Sequence, residues 1–249
     1  MSRAARKESP TGFYHVMQRG AGKQILFEDD NDCVKYLNRL KECTSNEGVQ
    51  LVAYCLMNNH SHILVRACNL KTLSKAMARI GTSYANYYNM KYDHVGAVFQ
   101  GRFLSEPICD ERYLLACVRY IHNNPVKAGF AQRDAYLWSS YGEYIRGASL
   151  VDTDIVMNYF DGVEDFVKFS KSADDKMFMD FDIGATTCQI GQEVVKQHFN
   201  NNWDNSIMVK QLCKSERDAI IREMKAAGLN NHQIELVTGV SRVIIRKCK

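Results

Sequence analysis

Hydrophobic and polar positions change period several times along the first 145 residues, and each change marks an element. Phe13-Tyr14-His15-Val16-Met17-Gln18 alternates with period two and stops at Arg19-Gly20, which predicts a strand. Over 29–43 the apolar positions Cys33, Tyr36, Leu37 and Leu40 fall at helical spacing, with Asp29 or Asp30 placed to cap the helix. Two apolar runs, 49–57 and 60–67, meet at Asn58-Asn59 and predict a pair of strands. A long helix follows over 70–92, its core stripe supplied by Leu73, Met77 and Ile80. Segments 98–103 and 104–109 predict two short extended pieces around a Gly-Arg turn, and Asp110 can cap a helix running from 111 to about 123. Strand, helix, strand pair, helix, strand, helix is the order of an α+β fold: a ferredoxin-like antiparallel sheet with helices packed on one face.

Two places in this pattern carry candidate chemistry. In the strand after Asn59, His60 and His62 share one face while Ser61 points to the other. Two imidazoles on one face of a buried strand are half of a metal site, or simply a hydrogen-bonded pair. In the helix from 111, Tyr113, Cys117, Tyr120 and Asn124 line one stripe, beside a core stripe of Leu114, Val118 and Ile121. Pro125 is expected to end that helix and turn Asn124 out of the α region, leaving its amide at a terminus. Tyr84-Ala85-Asn86-Tyr87-Tyr88, near Arg79 and Lys91, could stack unpaired bases, although helical spacing favours the core.

Composition changes the picture little until charge is divided along the chain. The 249 residues suit one large domain or two small ones, and 46% apolar with 24% charged residues is ordinary for a soluble protein. The polar, basic N-terminus does not read as a signal peptide and no apolar run is long enough to span a bilayer. Nine cysteines without a Cys-x-x-Cys pair indicate neither a disulfide framework nor a zinc ribbon, so a cytoplasmic location is expected. Residues 1–150 carry 19 Lys and Arg against 13 Asp and Glu, 151–200 carry 4 against 10, and 201–249 carry 9 against 5. Two basic segments separated by an acidic one suggest two surfaces for an anionic ligand, with nucleic acid the obvious candidate.

The chain therefore divides, as read, into a domain over 1–148, an acidic helical spacer over 149–204 and a basic module over 205–249. In the last, 216–227 reads as a helix ended by Gly228, and 231–238 as a second with Ile234 and Val237 inward. Ser241 caps a third helix over 242–248. Helix, glycine turn and capped basic helix is the pattern of a helix-turn-helix, in which Arg242, Arg246 and Lys247 would face DNA; a small docking bundle would read the same way.

Several motifs together resemble the single-tyrosine HUH transposases, the IS200-like group, and especially their REP-associated branch. They are Tyr14-His15-Val16 with Arg19-Gly20, Ala53-Tyr54-Cys55-Leu56-Met57-Asn58-Asn59-His60-Ser61-His62, Gln100-Gly101-Arg102-Phe103, Arg119-Tyr120-Ile121-His122-Asn123-Asn124-Pro125-Val126-Lys127-Ala128-Gly129, and Trp138-Ser139-Ser140-Tyr141. The resemblance implies a catalytic domain in which His60 and His62 form the paired-histidine motif, Asn124 takes the third metal-ligand position and Tyr120 is the nucleophile. It implies cleavage and rejoining of single-stranded or hairpin DNA through a 5′-phosphotyrosine, with Mg²⁺ or Mn²⁺, where ligand softness alone would suggest zinc. Arg102, Arg119 and Lys127 become candidates for the DNA backbone, or are ordinary surface bases. Ser61 departs from the family's large apolar residue, a change expected to cost ~1 kcal/mol or less if its hydroxyl finds a partner. A non-catalytic, domesticated DNA-binding protein and a replication initiator or relaxase of the wider group are the competing readings. Monomer and homodimer both stay open.

Overall fold

The computed structural model describes residues 6–172, 194–195, 198–199, 209, 212–229 and 231–248. Strand β1 (Phe13–Arg19), helix α1 (Asp30–Asn46), β2 (Gln50–Met57), β3 (His60–Arg66), α2 (Leu70–Tyr92), β4 (Leu104–Pro107) and α3 (Glu111–Lys127) follow in the expected order. The four strands form one antiparallel sheet in the order β2-β3-β1-β4. Each of these three helices starts where an acidic or amide side chain takes an otherwise unmatched backbone N–H, whereas the helix after Ser241 has no side-chain cap bond. Asp29 accepts from the Asp32 N–H in a reciprocal capping box at α1, Asn69 from the Thr72 N–H at α2, and Asp110 from the Tyr113 N–H at α3.

Period-two alternation assigns the two faces of the sheet. Tyr14, Val16 and Gln18 of β1 share a face with Ser61 and Ile63 of β3, and this face carries α1 and α2. The Tyr36 hydroxyl of α1 donates to Gln18 Oε1 at 2.7 Å and lies 3.1 Å from Ser61 Oγ. Ser61 is thus fully buried with its hydroxyl satisfied, as the low cost of this departure required. Tyr84 and Tyr88 are buried as well, their hydroxyls donating to the Leu26 and Ile25 carbonyls, so this aromatic stretch is core rather than a base-stacking surface. The opposite face presents His15, Met17, His60 and His62, and here α3 covers the sheet, in addition to the two helices on the first face.

Three sequence expectations change. Segment 98–103 contributes only a single bridge, Phe99 to Gly20, so one of the two extended pieces is a loop. Helix α3 does not end before Pro125 but continues to Lys127. The ring removes one hydrogen bond, to the Ile121 carbonyl, while the Ala128 N–H still closes onto the Asn124 carbonyl at 2.9 Å. The buried position of Pro125 against the core keeps the last turn in place. Finally, the core does not stop at 148. Past α4 (Tyr141–Arg146), Val151, Val156 of α5 (Asp154–Met157) and Phe166 of α6 (Val163–Lys171) are buried in the same cluster. The acidic residues there occupy the outer face of short helices whose apolar positions pack inward, and 173–193 lies outside the described residues.

A second, smaller hydrophobic cluster gathers α7 (Lys214–Ala226), α8 (Asn231–Thr238) and α9 (Arg242–Lys247) around Ile220, Ile221, Met224, Ile234, Val237 and Ile245. Gly228 at φ 89° and Gly239 at φ 65° make the two turns, a backbone region that side chains other than glycine's seldom adopt.

Candidate active site

Antiparallel register, rather than any local pattern, assembles this site. Met17 pairs with His62 and Arg19 with His60, so the imidazole of His15 lands diagonally beside that of His62. The two rings are stacked at 5.3 Å, and His15 Nε2 lies 3.0 Å from His62 Nδ1. β4 pairs with the far side of β1, His15 opposite Glu106, which brings that carboxylate to 3.6 Å from His15 Nδ1. Glu106 also accepts a hydrogen bond from the Tyr113 hydroxyl; burial first and this carboxylate second push the Tyr113 phenol pKa up.

The Asn59 hydrogen bond and the charge of Glu106 together favour one self-consistent set of tautomers. The Asn59 amide donates through Nδ2 to the Lys23 carbonyl, which turns its Oδ1 toward His60 Nδ1 at 2.8 Å. An amide oxygen only accepts, so His60 carries its proton on Nδ1 and a lone pair on Nε2. At His15 the negative charge of Glu106, 3.6 Å from Nδ1, favours the tautomer protonated there, which leaves Nε2 as acceptor. His62 then donates from Nδ1 and, like His60, keeps its lone pair on Nε2. Both imidazoles are held neutral. Burial, then the positive field of Arg19, pulls the His60 pKa down to about 3, and burial with His60, His15 and Lys127 lowers that of His62.

Helix α3 brings the phenol to this pair. The Tyr120 ring stands edge-on to His62 with centroids 5.5 Å apart and edge-on to His15 at 5.8 Å. Lys127 Nζ lies 4.7 Å from the Tyr120 ring centroid. Asn124, one turn after Tyr120, is buried, and its Nδ2 donates to the Tyr120 carbonyl at 3.0 Å. This bond fixes the amide so that its acceptor oxygen is the atom left for other chemistry. Among the described residues no three His, Cys, Asp or Glu side chains form a metal site by themselves. A cation here would therefore draw on two Nε2 lone pairs and the Asn124 amide oxygen. Neutral donors of that kind fit a divalent ion that keeps waters or phosphate oxygens in its remaining positions.

The other residues singled out in the sequence are spread more widely. Arg102 is exposed on the loop before β4. Arg119 turns away from the phenol: its Nη1 donates to Ser172 Oγ at 2.6 Å and its guanidinium lies 4.7 Å from the Phe169 ring centroid. Arg242 reaches Asp30 at 3.3 Å and Glu235 at 2.8 Å, and Arg246 reaches Asp29 at 2.9 Å, so both point at the start of α1. Lys247 is exposed. Two neighbours of Tyr120 hold structure together: His122 Nε2 lies 2.8 Å from Ser140 Oγ, which accepts from the Tyr54 N–H, and Asn123 accepts from Arg133. His15 and Glu106 had no role assigned from the sequence. The available signals were that His15 lies in an alternating strand and within the Tyr14-His15-Val16 motif of the resemblance.

Residues 11–124 match the family model described as "Transposase IS200 like", a stretch that contains His15, both paired histidines, Tyr120 and Asn124. Over that stretch, somewhat under half of its length, the chain is similar to the IS200-like transposases. Among solved structures it is similar to a REP-associated tyrosine transposase bound to a REP hairpin. That likeness has a TM-score of 0.56 at 15% identity and covers 74% of this chain and 100% of the other. A candidate transposase from Deinococcus radiodurans gives a TM-score of 0.35 at 16% identity over 49% of this chain and 95% of its own. The first likeness shows a shared α+β fold, and the second carries no argument. No curated protein sequence matches the chain. No helix among the described residues is long and apolar enough to cross a membrane.

Proposed function

We propose that this protein is a transposase that cleaves and rejoins single-stranded DNA at hairpin sequences of the REP-associated kind, with Tyr120 as nucleophile. The observation that carries the reading is the placement of the Tyr120 ring 5.5 Å from that of His62, within the stretch that matches the IS200-like transposase model. The phenol oxygen attacks phosphorus in line with the 3′ oxygen. The Tyr–O–P bond forms, the P–O3′ bond breaks, and the phenol proton is balanced by the proton gained by the departing 3′ hydroxyl. A 3′ hydroxyl of another strand reverses the step without an external energy source, because one phosphodiester replaces another.

The chain's own groups prepare this reaction. Lys127 places a positive charge at the phenol and near His62, where it stabilises the phenolate and the phosphate charge in a partly desolvated setting. The depressed pKa values keep His60 and His62 as neutral donors rather than cations at pH 7. A bound Mg²⁺ or Mn²⁺, held by His60, His62 and Asn124, supplies Lewis-acid polarisation of the phosphate. Arg102 and Lys127 are the candidates for phosphate contact near the site. The module formed by α7–α9 is a second, helix-turn-helix contact in which Lys247 is exposed, while Arg242 and Arg246 reach DNA only by exchanging Asp29 and Asp30 for phosphates.

The test is a hairpin oligonucleotide with single-stranded flanks, labelled at one end and incubated with Mn²⁺, then run on a denaturing gel. The full chain is expected to give a covalent protein–DNA adduct, and Tyr120→Phe none, with hairpin binding reduced less than twofold. An adduct of normal yield from Tyr120→Phe removes this tyrosine from its role.

A further inference from the structure

On the face of the sheet away from the histidines, a cavity of about 480 Å³ opens between α2 and the 98–103 loop. Its floor exists because residue 81 is glycine: a Cβ there would stand 3.3 Å from Gln18 Nε2 and 4.0 Å from the Phe99 ring. Gln18 is 6% exposed, and its Oε1 is committed to the Tyr36 hydroxyl, so the amide is oriented with Nε2 toward the space beside Gly81. Phe99 and Phe103 line the cavity with Met77 of α2. The Arg6 guanidinium lies 3.7 Å over the Phe103 ring, held by a 2.8 Å bond to the Phe103 carbonyl, and exposed Arg102 stands at the rim. Phenyl faces, one fixed amide donor and cations at the mouth match an unstacked nucleobase whose phosphate stays outside.

The position relative to the active site is what makes this assignment useful. The loop is stitched to the end of β1: the Gln100 N–H donates to the Arg19 carbonyl at 2.7 Å, and the Ala21 N–H and Gln24 Nε2 to the Val98 carbonyl at 2.9 and 2.8 Å. Arg19 in turn stands opposite His60 in the strand register. Cavity and histidine pair therefore share one end of the β1–β3 ladder, on opposite faces, so a strand engaging both has to round that end of the sheet.

We propose that this cavity is a subsite for one extruded base of the DNA strand, stacking on Phe99 or Phe103 and accepting a hydrogen bond from Gln18 Nε2. The proposal rests on the reading of the chain as a single-strand DNA enzyme, and it adds a base-reading element that the paired histidines and Tyr120 do not supply. It is tested on the full chain with hairpin oligonucleotides in which 5-iododeoxyuridine occupies successive positions of the single-stranded flanks. Irradiation is expected to crosslink one position to a peptide containing Phe99 or Phe103. Gly81→Leu, which fills the floor, and Phe99→Ala, which removes a stacking face, should each cut that crosslink and weaken single-strand binding about tenfold. Phe99→Ala decides the matter if circular dichroism shows Gly81→Leu misfolded. Crosslinks confined to other rings, with affinity unchanged in the folded variants, overturn the subsite. Adduct formation through Tyr120 is scored in the same samples. A crosslink at Phe99 or Phe103 without any adduct in Mn²⁺ upholds the subsite and sinks strand transfer, whereas an adduct without that crosslink does the reverse.

Discussion

Replacing His15 by phenylalanine tests the proton arrangement on which the histidine pair depends. His15 is fully buried, and its Nε2, the acceptor in the favoured tautomer set, lies 3.0 Å from His62 Nδ1, so a phenyl ring keeps most of the volume and deletes that partner. A buried donor left unmatched costs about 1–3 kcal/mol. At 2–4 °C per kcal/mol for a domain of this size, the melting temperature in EDTA should fall by roughly 2–12 °C. Once that proton loses its partner, His62 can rotate or adopt the other tautomer, and the lone pair on Nε2 is no longer secured. Loss of such an outer partner costs about 10- to 100-fold in metal affinity. Titration of Mn²⁺ by electron paramagnetic resonance should show this loss in His15→Phe. His15→Gln, whose amide oxygen can still accept, should recover part of it. If both variants melt like the wild type and bind Mn²⁺ equally well, the chain Glu106–His15–His62 does not orient the site and the tautomer argument is wrong.

Two further expectations concern the fold. Phe166 is fully buried, stacked on Tyr144 at 4.9 Å and edge-on to His122 at 6.2 Å, so Phe166→Ala should destabilise the sheet domain by about 3–5 kcal/mol in urea denaturation. A change below 1 kcal/mol would place α6 outside the core. Glu28 has its pKa raised to about 7, by burial first and by the Asp32 carboxylate second. The fold thus favours the protonated form, and stability contributed by this group is present below about pH 4.5 and lost as pH rises through 7. The loss is of order 3 kcal/mol by pH 8. Glu28→Gln should accordingly stabilise the protein at pH 8 and leave it unchanged at pH 4; a gain of equal size at both values would locate the effect elsewhere.

Local chemistry in the sequence was sufficient for the order of the elements, the caps at Asp29 and Asp110, and the shared face of His60 and His62, because each is set by neighbours within a few residues. Tyr120 was found by resemblance, and its stripe by helical spacing. What sits beside the histidines was not legible. His15 is 47 residues from His62, and Glu106 arrives on a strand added to the other edge of β1, so both depend on register across the sheet. Residues whose types suggested DNA contact divided by direction instead: Lys127 projects over the phenol, while Arg119 on the same helix lies against Phe169. Pro125 shows the limit of a local rule, since one missing N–H is outweighed when the surrounding turn is packed into a core. A one-dimensional pattern reports the period and face of each side chain. Which faces meet, and therefore which proton each imidazole carries, is settled only when strands 40 to 90 residues apart take up their register.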